Sequence, residues 1–370
     1  MVDRAKQRKK NFEPAGFQLN SESLNKEESV EDRSFLATTA KGLARAVTSE
    51  TGEWVVETLL DEAVNCIAAD PADAKVVFAG TQGNGVFRSD DAGATWHHSG
   101  MEDQVVKSLT VSPTEPNTLY AGTKPAYLII SGDGGASWAE IESFRNVRGR
   151  RLWFSPAESP FKAYIQAIAL SPTDPKVIVA GVEFGAVVRS DDGGKTWSNH
   201  KKGSLRDCHG MTFHSSNGDW IYESGGSGGG VAVSRDGGVN WRQTNEGLDR
   251  TYGWACAADP ERPEVWYASL SPMAAFPKFV PAAHIDGEAN AAIFRSSGGA
   301  PWEKLSGGLP DPLDYMAYSL ITVPGYPGHI YAGMANGEVW KSTDYGDEWE
   351  QLPFSFGDIH RQMIVLSPKL

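Results

Sequence analysis

Cysteine is scarce. Three residues, Cys66, Cys208 and Cys256, in a chain of 370 are too few for a disulfide scaffold and point to a reducing compartment. Positive charge is short as well: 34 Lys and Arg stand against 47 Asp and Glu, a net charge of −13. That balance excludes a general nucleic-acid or anionic-membrane partner. No apolar run approaches the roughly 18 residues that a spanning helix needs. The opening MVDRAKQRKKNFEPAG also lacks the apolar segment of a secretory signal. The expected location is the cytoplasm. Residues 1–32 are polar and charged and read as a flexible tail ahead of one domain, 33–370.

Turn-forming residues are abundant: 40 glycines and 21 prolines imply many short elements joined by many turns. One octet recurs. SDDAGATW (89–96), SGDGGASW (131–138), SDDGGKTW (190–197), SRDGGVNW (234–241) and STDYGDEW (342–349) share a serine, an aspartate, a glycine and a closing tryptophan. SSGGAPW (296–302) and SETGEW (49–54) are shorter copies. Six first strands start at Val64, Val106, Ile165, Cys208, Gly253 and Ala317, and RQMIVLSP (361–368) is a seventh with nothing after it. Each unit then runs through a second strand, such as VVFAGT (76–81), a third that enters the octet, and a fourth that leaves it. The closing tryptophans fall 42 to 61 residues apart, and repeats of this length with four strands specify propeller blades. The expected fold is all-β, a single seven-bladed propeller. Its ring is closed by the inner strand 361–368 joining strands from 34–59.

The octets resemble the Asp-box (BNR) repeats of the sialidase-like and photosystem II assembly factor-like propeller superfamily, whose pattern is S-x-D-x-G-x-T-W. The resemblance spans roughly 34–370 and implies the fold. It does not choose among sialidases, xyloglucan-cleaving glycosidases, sortilin-type receptors and assembly factors. The octet residues are those of a tight turn: glycines for positive φ, and short polar side chains for orphan backbone N–H groups.

In such a ring the first-to-second and third-to-fourth turns, octets included, share one face. The second-to-third loops and inter-blade connections share the other, around the channel mouth. Two long insertions, 145–164 and 271–290, fall on that mouth face, where binding is expected. Second positions of the aligned first strands are Asn65, Lys107, Gln166, His209, Trp254, Tyr318 and Gln362, a polar ring at the mouth. Aligned second strands carry Ala79, Ala121, Ala180, Ala268, Ala332 and Ala37, but Glu223 in the fourth repeat. A carboxylate in a packed slot is costly unless paired or functional.

The candidate catalytic residues are therefore Glu223, His209, Asp207 and Tyr252. Candidate ligand contacts are Lys107, Lys124, Gln166, Glu183, Trp254, Asp314, Tyr318, Arg361, Arg150 and Arg151. Basic groups gathered on one rim of an acidic chain suggest an anionic or carbohydrate-like ligand, a small molecule or glycan. Cleavage of that ligand by glycoside hydrolase-like or lyase acid/base chemistry is left open. A true sialidase is disfavoured, because no F/Y-R-I-P segment occurs. The alternatives are a non-catalytic assembly propeller with a protein partner, and a metal enzyme drawing on His209, His214 and His360. No cofactor and no metal site is expected.

Overall fold

A computed structural model of the chain describes residues 33–226, 228–273 and 281–366. The expected tail, 1–32, lies outside the described residues, as do 274–280 of the second insertion and the end of the closing segment, 367–368. The described residues form seven antiparallel sheets, six of four strands and one of three. Blade 1 consists of Ser34–Thr39, Gly42–Thr48, Trp54–Leu60 and, innermost, Met363–Leu366. The two chain ends pair through Ser34 with Leu366, Phe35 with Val365, Leu36 with Ile364 and Ala37 with Met363. The ring is thus closed as expected. Blades 2 to 7 follow in chain order, beginning at Val64, Val105, Ile165, Cys208, Tyr252 and Ala317.

The closing strand differs in register from the alignment. In the other blades the alanine slot pairs with the fourth residue of the inner strand, as Ala79 does with Ile67. In blade 1 Ala37 pairs with the third, Met363. Arg361 thereby moves into the mouth position that the alignment gave to Gln362. Gln362 turns sideways, its Oε1 accepting the Ile67 N–H of blade 2 at 2.8 Å.

Among the described residues, blade 4 has no fourth ladder strand. Its third strand, Val187–Ser190, is covered instead by side chains that stand in for backbone acceptors. Ser198 Oγ takes the Arg189 N–H at 2.9 Å, and His200 Nδ1 takes that of Val187 at 3.2 Å. Burial and the Arg206 charge push the His200 imidazole down to about 4, which keeps it neutral and able to accept.

The octets are structural turns whose polar groups are consumed internally. In the first complete copy Asp91 Oδ1 accepts from Ser89 Oγ and the Thr95 N–H, both at 2.8 Å. Asp91 Oδ2 accepts from Thr95 Oγ1 at 2.6 Å, and Ser89 Oγ accepts the Gly93 N–H at 2.9 Å. Gly93 takes φ +82°, a conformation in which a side chain is strained. The hydrogen bonds from Thr95 hold the Asp91 carboxyl down at about 2. Arginines then join neighbouring blades: Arg88 Nη1 donates to Gly134 O (2.7 Å), Arg189 Nε to Gly237 O (2.7 Å) and Arg295 Nη1 to Tyr345 O (2.9 Å). Trp241, Trp302 and Trp349 are buried between sheets.

Candidate functional site at the channel mouth

The inner strands surround a channel of about 510 Å³. A shared backbone device aims residues into it. Six inner strands break register near their start, between Val64 and Cys66, Val106 and Ser108, Ile165 and Ala167, Cys208 and Gly210, Gly253 and Cys256, and Ala317 and Ser319. A bulged residue leaves the ladder and re-aims its side chain. Asn65, Lys107, Gln166, His209, Trp254 and Tyr318 sit in these bulges, and all of them line the channel with Arg361 and Gln362.

One arc of the mouth is cationic. Lys107 Nζ, its side chain fully buried, lies 2.5 Å from Glu158 Oε1 and donates to Gln82 Oε1 at 3.1 Å. Lys124 Nζ donates to the Glu158 backbone carbonyl at 2.9 Å and lies 3.7 Å from its Oε2. Arg361 Nη2 stands 3.8 Å from Oε1. Tyr164 presents its ring to both lysines, with Nζ to centroid distances of 5.3 and 5.9 Å. Burial, helped by the neighbouring Arg361 charge, pushes Lys107 down to about 8. Burial would raise Glu158, but Lys107, Arg361 and Lys124 together hold it below the ordinary carboxylate range. Glu183 is buried behind this arc, accepting from Ser155 Oγ at 2.9 Å.

The facing arc is aromatic. Trp254 lies 4.9 Å from both the His209 and Tyr318 rings, centroid to centroid. His284, from the second insertion, meets the Tyr252 hydroxyl through Nε2 at 2.6 Å and the Tyr318 hydroxyl through Nδ1 at 3.2 Å. Burial and the charges of His209 and Arg361 push His284 down to about 4, so it is neutral between two phenols. His209 Nδ1 meets Gly253 O at 2.8 Å, and its Nε2 lies 3.5 Å from Asp207 Oδ1. Burial works against the His209 charge, yet Asp207 and Glu183 raise the imidazole above its usual range.

Most of the expected site residues converge: Lys107, Gln166, His209, Trp254, Tyr318 and Arg361 line the channel. Lys124, Asp207 and Tyr252 contact those residues or their partners, and Glu183 supports the insertion. Four do not. Glu223 is fully buried, faces Met211 across the sheet, and gives its Oε2 to the Leu205 N–H at 3.0 Å. It lies outside the channel lining, because the second strand of a blade is screened from the channel by the first. Arg150 donates to Ala126 O at 2.7 Å and covers Tyr127. Arg151 and Asp314 are exposed, and none of these three lines the channel. Glu158, Tyr164 and His284 escaped individual notice in the sequence, though all lie in the two insertions assigned to this face. Among the described residues no three His, Cys, Asp or Glu side chains converge as a metal-ligand set.

These features define the class: a seven-bladed β-propeller carrying BNR/Asp-box repeats. The BNR/Asp-box repeat model matches residues 188–199, and no curated protein matches the chain. Among solved structures, the GH74 xyloglucanase from Xanthomonas campestris is similar at 20% identity and TM-score 0.65, over 86% of this chain and 52% of that one. An ancestral GH74 enzyme is similar at 22% identity and TM-score 0.59, over 78% of this chain and 38% of that one. YCF48 bound to D1 peptide is similar at 16% identity and TM-score 0.53, over 78% and 82%. The chain therefore spans only about half, or less, of each GH74 protein, and at these identities the likeness is one of fold.

Proposed function

We propose that the protein binds a small anionic, carbohydrate-like ligand at the channel mouth, in the cytoplasm and without a metal or other cofactor. One observation carries this reading: an aromatic wall and a cluster of three cations line or flank the same cavity, and the cations share one nearby carboxylate, Glu158. Trp254 offers a flat apolar face for a ring. Lys107 and Arg361 offer charge-assisted hydrogen bonds to an anionic substituent. His209, held beside Asp207, is the group placed to hand a proton to such a ligand.

D-Glucuronate, followed by tryptophan fluorescence and calorimetry, is the test. Trp254→Ala and Lys107→Met are each expected to weaken binding at least about tenfold, a loss of roughly 1.4 kcal/mol. Affinity is also expected to fall as pH rises through about 8, where Lys107 loses its proton. Unchanged affinity in both variants sinks the assignment.

A second reading, a protein-docking face, is favoured by a different observation. Leu152, Phe154 and Phe161 are 83%, 56% and 63% exposed, and all three belong to the first insertion. Large apolar side chains exposed together mark interaction surfaces. If they dock a partner protein, Leu152→Asp with Phe161→Asp will abolish its co-purification from extract while leaving glucuronate binding intact. Retained co-purification would reject this reading.

A further inference from the structure

We propose that Glu158 is a built-in occupant of the mouth's anion site, and that a ligand's anionic group enters by displacing the strap that carries it. This rests on the reading of the mouth as a ligand site.

The strap is anchored firmly at both ends and loosely between. At one end Ser155 is buried and bonded to Glu183; at the other Ala163 and Tyr164 are buried. Between them Pro156, Ala157, Ser159, Pro160, Phe161 and Lys162 are exposed, and Glu158 alone is half-buried. Its carboxylate turns inward against Lys107, with Lys124 and Arg361 nearby. Apart from the Lys124 bond to its backbone carbonyl, the exposed stretch is held by short local bonds, from Ala157 N to Ser155 Oγ at 3.2 Å and from Lys162 N to Pro160 O at 2.6 Å. Two acceptor oxygens thus sit where a carboxylate or phosphate of a ligand would sit, on a segment with little else to lose by leaving.

A carboxylate tethered this way competes at a high effective concentration, of millimolar order for a short flexible link. It also explains how Lys107, a fully buried ammonium, is tolerated: its charge is met by the strap. The cost falls on affinity, because each incoming anion must first replace Glu158.

The test compares the wild-type chain with Glu158→Gln, which keeps the shape and removes the charge. The probes are D-glucuronate, glucose 6-phosphate and neutral glucose. Glu158→Gln is expected to bind one or both anionic sugars at least about tenfold more tightly, with glucose unchanged. Whichever anion gains identifies carboxylate or phosphate as the group the site accepts. In the wild-type chain the same anion is expected to speed tryptic cleavage after Lys162, the strap's own basic residue beside the buried Ala163, since the strap is released. Equal binding by both chains, still abolished by Lys107→Met, overturns the displacement and leaves the mouth reading standing. Weaker binding by Glu158→Gln, or tryptic protection by the anion, also overturns it. If neither chain binds any of the three sugars, both readings fall.

Discussion

Deleting residues 361–370 is expected to abolish cooperative folding of the ring. The strand Met363–Leu366 is the inner strand of blade 1, and its loss uncovers Phe35, Leu36 and Ala37, all fully buried in the intact chain. It also breaks two ties between blades: Gln362 Oε1 to the Ile67 N–H of blade 2, and the Met363 N–H to Ser319 Oγ of blade 7 at 2.6 Å. The apolar loss alone is on the order of 5 kcal/mol, comparable to the whole stability of many domains. A free, apolar sheet edge then invites pairing with other chains. Urea unfolding monitored by tryptophan fluorescence, with size-exclusion chromatography, checks this. A truncated chain that stays monomeric and unfolds at an unchanged midpoint would refute the closure argument. Adding the peptide RQMIVLSP should restore part of the transition.

Glu223→Gln is expected to raise stability in mildly alkaline solution and leave ligand binding intact. Burial pushes the Glu223 carboxyl up from 4.5 to about 8, against the pull of the Leu205 N–H and the Cys208 thiol. A folded-state value above the unfolded one favours folding fully below about 4.5, and that advantage is lost as pH rises through about 8. The deficit at pH 8 is on the order of 4 kcal/mol. The variant, which carries no titratable proton there, should show a flatter stability profile between those limits. Equal pH slopes for the two chains would remove the basis for placing a protonated carboxyl between blades 4 and 5. Lost glucuronate binding would return Glu223 to the site.

The blades and their count were legible because each octet repeats a local solution: a serine, an aspartate and a glycine at fixed offsets close their own hydrogen bonds. Closure was legible from an unmatched first strand at one end and an unmatched set of later strands at the other. The ring of mouth residues was legible from polarity alone. Its physical cause, a bulge at each second position, leaves no residue-type signature in strands as different as VNCIAA and CHGMTF. Glu223 misled for a definite reason. An aligned anomaly reports that a slot is unusual, and whether that slot faces the channel or the neighbouring blade depends on the strand's depth in the sheet. Glu158 and His284 were hidden because their neighbours are far away in sequence: Lys107 and Arg361 for one, Tyr252 and Tyr318 for the other.

The octets of blades 3, 5 and 7 each receive an arginine from the blade before, 2, 4 and 6. Blade 1, the one assembled from both ends of the fold, meets blade 7 differently: the Arg33 guanidinium lies over the Tyr326 and Tyr331 rings at 4.8 and 5.7 Å, and Phe35 meets Tyr331 edge to face at 5.4 Å. The joint that closes the ring is therefore clamped on its outer side by a buried cation laid over two rings, besides the strand ladder that completes blade 1.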